Sequence, residues 1–266
     1  MNHPALRAPA LAAAPATDPP RVNDITLDHP WRWLARGWRD VLRARHYSLV
    51  YGAVIALFSI LLTLGLIAEG LFFIVPFLAA GFYLLAPIVG LGLYQMSAHL
   101  ERGEPLRFCQ ALEAWRRNQG QLALLTAALM IIMQLWIMSN FVLFALLYDG
   151  LTPPLERFVA TVFLSGQSNA FVLASVAVGF VLAAIAYALS AVSVPMLIDR
   201  PVDGLTAMRT SVQAVLRNGP AMTLWAGLIV LLVGVGLLTF YIGLCIVMPL
   251  LGHATWHAYR DLVPND

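Results

Sequence analysis

Charge is what this sequence most lacks. Only 11% of its 266 residues are Asp, Glu, Lys or Arg, against about 25% in an ordinary soluble domain. With 60% hydrophobic residues and a mean hydropathy of +0.78, the chain reads as one solvated by lipid. Lysine is missing altogether: the 16 basic residues are all Arg, which reads as a compositional habit of the source genome. A net charge of +2 gives no reason to expect nucleic acid as a partner. The two cysteines, Cys109 and Cys245, lie far apart with no C-x-x-C spacing, so neither a disulfide framework nor a thiolate metal site is implied. Phosphate-binding loops, nucleophile motifs and metalloprotease motifs are also missing. These absences leave no catalytic residue and no cofactor to nominate, and an enzymatic role is disfavoured.

What the sequence does contain is long apolar runs. Read as bilayer crossings of roughly 20 residues each, they predict spans at 48–68, 71–97, 122–147 and 170–198. A further uncharged run goes from Pro220 to Leu251. As one helix it would be roughly 48 Å long, too long for a hydrocarbon core of about 30 Å. It is therefore divided near Thr239–Gly243 into spans at 220–238 and 241–257.

Arginine sets the orientation. Seven precede the first span, four lie between the second and third, three between the fourth and fifth, and Arg260 follows the sixth. Six spans place all of these on one side, with Arg157 alone opposite. The expectation is a multi-pass protein of a bacterial inner membrane with both termini cytoplasmic. Residues 1–28, rich in Ala and Pro, read as a disordered cytoplasmic tail. Leu11–Ala14 is too short for a signal-peptide core and is flanked by Pro9 and Pro15. Residues 29–266 read as one transmembrane domain.

Three segments share an amphipathic helical spacing: Trp31, Leu34, Trp38 and Val41; Phe108, Leu112 and Trp115; Leu205, Met208, Val212 and Val215. Arg and Gln fill their other faces, and Pro30, Pro105 and Pro201 stand at or just before their starts, where proline is tolerated. Such helices suit a membrane interface. Each precedes two spans, and the second span of each pair carries a proline: Pro87, Pro195 and Pro249. The predicted fold is all-α, a polytopic membrane bundle of about six transmembrane helices with short interfacial helices, arranged as three helix–span–span repeats and kinked at those prolines.

Trp31–Asp40 followed by Ser48–Gly52, then Ala80–Phe82, Pro87, Gly92–Tyr94 and Leu100–Glu104, and finally Pro249–Arg260 resemble an uncharacterised bacterial membrane family, domain of unknown function 2189. The resemblance runs from about Asp24 onward. Some members carry a cytochrome c oxidase label, which implies an association with respiratory oxidases and no catalytic residues.

Among polar residues, His253 and His257 share a helix face, and His99 ends the second predicted span. Imidazoles there suit either haem or copper ligation or simple anchoring at the interface. No histidine lies deep in a span, so a catalytic oxidase subunit is not expected, and no metal site is assigned. Gln134, Ser139 and Asn140 fall inside the third span, where such groups bond between helices or line a path. No acid or arginine lies mid-span, which disfavours ion-coupled transport. Gly90, Gly92, Gly227, Gly234 and Gly236 are expected to permit close helix approach. The outer loop, Leu151–Ser168, could hold a further helix around Leu155, Phe158 and Val162. The leading reading is a non-enzymatic membrane component whose partners are the bilayer and other membrane proteins or itself. The alternatives are a small-molecule channel or transporter, and a haem- or copper-handling accessory of respiratory oxidases.

Overall fold

The computed structural model describes residues 20–71, 74–107, 113, 115–116, 118–148, 162, 166 and 168–264. The helices are α1 (His29–Arg43), α2 (Arg45–Ala68), α3 (Val75–Val89), α4 (Leu91–Arg102), α5 (Gln119–Leu147), α6 (Asn169–Ser190), α7 (Ser193–Asp199), α8 (Gly204–Arg217), α9 (Gly219–Leu238) and α10 (Leu244–Leu262). No strand is found among the described residues. Five segments are long and apolar enough to cross a membrane: Arg45–Ala68, Gly81–Arg102, Gln119–Leu147, Asn169–Asp199 and Gly219–Leu238. The fold is the expected all-α polytopic bundle.

In the second and fourth predicted spans, where kinks are expected at Pro87 and Pro195, the helix is interrupted at Gly90 and at Ala191 and Val192. The run expected at 71–97 is not helical at Leu71; α3 starts at Val75 and the path bends at Gly90, three residues after Pro87. There the N–H groups of both Leu93 and Tyr94 bond the Gly90 carbonyl. The Val89 carbonyl accepts instead from the Tyr51 hydroxyl at 2.7 Å. A second bend parts α6 from α7 just before Pro195. Ser211 of α8 accepts from the Val192 N–H at 3.2 Å, and the Ser193 hydroxyl donates to the Ala207 carbonyl at 3.1 Å. Backbone groups released inside lipid need such partners, and a small polar face of α8 supplies them.

The turn after α9 occupies Thr239–Gly243, the segment at which the sequence divides the long run. Phe240 and Tyr241 take positive φ there, and the Tyr241 hydroxyl accepts from Thr63 at 2.9 Å. The next helix, expected over 241–257, instead runs from Leu244 to Leu262 and is not one of the five apolar segments. From its midpoint onward it carries His253, His257, Arg260 and Asp261.

Helix α10 is the hub of the bundle. It packs against α1, α2, α4, α7 and α9, and the main core gathers Trp33, Leu93, Trp225, Trp256 and Tyr259 around it, each almost wholly buried. A smaller cluster of Leu84, Leu129, Ile132 and Ala186 joins α3, α5 and α6. Of the glycines the sequence suggested, Gly227 has nothing near it, whereas a Cβ on Gly236 would fall 2.6 Å from Leu244 and one on Gly90 2.7 Å from the Tyr94 hydroxyl; the hub adds Gly37, whose Cβ would fall 2.7 Å from the Ala254 nitrogen, and Gly252, 2.5 Å from Leu93. A Cβ on Gly52 would lie 2.3 Å from the Cys245 carbonyl oxygen. That carbonyl sits four residues before Pro249, which has no N–H to offer it. Only glycine lets α2 close over it.

Residues 20–28 correct part of the expected tail. Val22 is buried, the Asn23 N–H donates to the Leu262 carbonyl at 2.8 Å, and the Ile25 N–H donates to Asn218 Oδ1 at 2.8 Å while Asn218 Nδ2 donates to the Asn23 carbonyl at 3.0 Å. Paired backbone groups and a buried side chain make this stretch an ordered strap across the ends of α8 and α10. Residues 1–19 lie outside the described residues. So do Arg157, most of Leu151–Ser168, and much of the second amphipathic segment, including Phe108 and Leu112. Glu113, Trp115 and Arg116 within it are helical.

Candidate functional site

Along α1 and into α2, Trp33, Gly37, Asp40, Ala44 and Ser48 are all buried, at steps of four, three, four and four residues. This stripe faces α10, and it brings two polar side chains into the interior. Helix α4 adds Ser97. The three meet the histidines of α10.

Ser48 Oγ lies 2.8 Å from His253 Nε2, and Ser97 Oγ lies 2.7 Å from His253 Nδ1. The Ser97 hydroxyl donates to Asp40 Oδ2 at 2.8 Å, and His257 Nε2 reaches the same oxygen at 2.8 Å. An ionised carboxylate only accepts. The single Ser97 proton therefore points to Asp40, and Ser97 Oγ accepts from His253 Nδ1–H. With His253 neutral, its Nε2 accepts from the Ser48 hydroxyl. The result is one chain of hydrogen bonds, Ser48 to His253 to Ser97 to Asp40, closed from the other side by His257. Ser48, Ser97 and His253 are at most 1% exposed and Asp40 is 5% exposed. Burial pushes the Asp40 carboxyl up. The His257 and Ser97 hydrogen bonds, with the charge of His257, outweigh it and hold the carboxyl below its ordinary value.

Beyond this chain, the end of α10 is tied to α1, α4 and α7. Asp261 accepts from Trp33 Nε1 at 2.8 Å and pairs with Arg36. Trp256 Nε1 donates to Glu101 at 2.9 Å, and Arg260 bridges Glu101 and Asp199 at 3.1 and 3.4 Å. The Tyr259 hydroxyl donates to Asp199 at 2.7 Å and accepts from Arg200 at 2.8 Å.

The three histidines singled out in the sequence are thus divided. His253 reaches Asp40 through Ser97, and His257 bonds it directly. His99 stands apart, with Nδ1 on the Gln95 carbonyl at 2.8 Å and Nε2 3.3 Å from Glu104. Gln134 is exposed on α5, Ser139 is half-buried, and buried Asn140 bonds the Trp136 carbonyl of its own helix at 2.8 Å. Pro195 and Pro249 are buried and Pro87 is half-buried. Asp40, Ser48 and Ser97 went unmarked in the sequence. The available signal was the four- and three-residue stepping with Trp33 and Gly37, a face one step from the Trp31–Trp38 face that attracts the eye. No group of three or more His, Cys, Asp and Glu able to hold a metal is found among the described residues.

Residues 74–199 match the family model described as predicted integral membrane protein (DUF2189). The match covers the middle strings of the resemblance, whereas Trp31–Gly52 and Pro249–Arg260 lie outside it. No curated protein and no solved structure matches the chain. The family match and the five apolar segments establish an integral membrane protein whose helices contact the bilayer.

Proposed function

We propose that this protein is a non-enzymatic component of a bacterial inner membrane, crossing it six times with both termini in the cytoplasm and acting through contacts with other membrane proteins or with itself. The observation that carries the reading is the closed polar chain. Both ring nitrogens of His253 are engaged by serines, Nε2 of His257 is held by Asp40, and both His99 nitrogens have partners. A haem or copper ligand needs a free ring nitrogen; His253 would have to release one from a buried bond, and no group of three or more His, Cys, Asp and Glu able to hold a metal stands among the described residues. An outward Gln134 and an Asn140 turned onto its own helix likewise argue against a polar path through the third span. What remains is a rigid arginine-rich end, braced by α1, α8, α10 and the strap, of the kind that suits docking.

The arginine distribution supports the orientation. Reporter fusions after Glu69, Pro154 and Thr239 should all report the outer side; a cytoplasmic signal at Thr239 would remove the sixth crossing. Purification in mild detergent with absorption and metal analysis tests the role. A colourless, metal-free preparation with a stoichiometric membrane partner or self-association is expected, and a Soret band or bound copper would overturn it.

A further inference from the structure

Helix α8 is built the opposite way from a helix of a water-soluble protein. Its buried face is small and polar: Gly204, Thr206, Ala207, Thr210, Ser211 and Ala214. Its outward face carries the large apolar side chains, with Leu205 49% and Leu216 75% exposed. Those residues, with Met208, Val212 and Leu189 from the end of α6, wall an open groove of about 830 Å³. That is within the range of ligand sites, roughly 300–1,000 Å³. In water, leaving such side chains uncovered is unfavourable by about 25 cal/mol per Å². The groove therefore calls for an apolar occupant.

Two arginines border it, and they differ. Arg217 is already neutralised by Asp24 of the strap, with Nε–Oδ1 at 2.5 Å and Nη2–Oδ2 at 2.8 Å. Arg209 is exposed and meets no acid among the described residues. Gln213, one turn further on, is an exposed amide donor beside it. An uncompensated guanidinium over an apolar wall is complementary to a molecule that is anionic at one end and aliphatic at the other. Guanidinium is also the cation best matched to a phosphate by its forked donors.

We propose that this groove binds an anionic glycerophospholipid of the adjacent leaflet, its acyl chain along Leu189, Val212 and Leu216 and its phosphate on Arg209. The site needs only that α8 lie at the membrane surface, and it is independent of whether the protein has partners.

The test uses the full chain in nanodiscs holding equal amounts of phosphatidylglycerol and phosphatidylcholine with identical acyl chains, followed by detergent extraction and mass spectrometry of the lipid retained. Wild-type protein should retain phosphatidylglycerol about fivefold over phosphatidylcholine, the equivalent of about 1 kcal/mol for one arginine near the surface. Arg209→Gln should abolish the preference with thermal stability unchanged, since the side chain is exposed. Val212→Trp, which fills the groove, should lower retention of both lipids. Excess inorganic phosphate should displace neither, because it cannot cover the apolar wall. Equal retention by wild type, a preference that survives Arg209→Gln, full displacement by inorganic phosphate, or a groove covered by a second copy of the chain would each overturn the assignment.

Discussion

Helices α10 and α6 are both rich in apolar residues, yet they live in different solvents. In α10, His253 and Tyr259 are fully buried and every large polar group in its last third has a protein partner. In α6, Phe180 is 74% exposed and Leu173 70%, as expected where lipid is the neighbour. The contrast shows that hydropathy locates the shell of a membrane bundle, while buried polarity locates its hub. In the shell, any side chain of similar apolarity serves, because lipid repacks around it. In the hub, each group is held by two or three others across hundreds of residues of sequence, and replacing one leaves the rest unsatisfied.

If that difference is real, mutations should sort by region. The largest effect is expected for Gly52→Val. Its side chain would meet the Cys245 carbonyl backbone, which cannot move aside as a flexible side chain could. Overpacking of this kind typically costs about 1–3 kcal/mol and occasionally more, and against backbone that cannot yield, a cost above about 4 kcal/mol is expected. Loss of folded protein in detergent, followed by thermal unfolding, would check it.

Asp40→Ala comes next. It leaves Ser97 and His257 without their acceptor and should destabilise by about 2–4 kcal/mol, as for a broken buried charge-assisted bond. Asp40→Asn keeps the shape and separates charge from volume. The native carboxyl is held below its unfolded value near 3.8, so its stabilisation is fully present above that value. It is lost as the pH falls through the lower, folded value. Acid titration of stability should therefore be shallower in Asp40→Asn than in wild type.

Much of this division was legible in the sequence, and the illegible part has a physical cause. The spans, the turn at Thr239–Gly243 and the amphipathic stripe Leu205–Met208–Val212 follow from composition and local spacing, which one helix contains in full. The Ser48–His253 bond joins residues 205 apart in the chain, and Ser48 alone reads as an ordinary helix serine. Asp40, set among the arginines of α1, carries no local sign of the burial that α10 imposes on it. Pro87 marks the neighbourhood of the break at Gly90 but not its position, because uncharged helix and uncharged turn have the same hydropathy. The strap at 20–28 shows no helical or strand periodicity, and its order comes from Asn218 and Leu262.

A moderate effect, about 1–2 kcal/mol, is expected for Asn218→Ala. It removes the two bonds from Asn218 to the strap, at Ile25 and Asn23, each worth about 1 kcal/mol. Limited proteolysis within residues 20–28 should accelerate in step. The smallest effect is expected in the shell: Phe180→Leu on α6 should change thermal stability by less than about 0.5 kcal/mol. A large loss there would show that α6 is covered by protein rather than lipid.

The most direct test of the closed polar chain is histidine labelling with diethyl pyrocarbonate in intact membranes, read residue by residue by mass spectrometry. His46 is exposed and His253 fully buried, and the two lie on neighbouring elements of the same bundle end. The structure predicts rapid modification of His46 and protection of His253 until the protein is unfolded, with protection reduced in Asp40→Ala. Modification of His253 at the rate of His46 in the folded wild-type protein would contradict it, and would reopen His253 as a ligand.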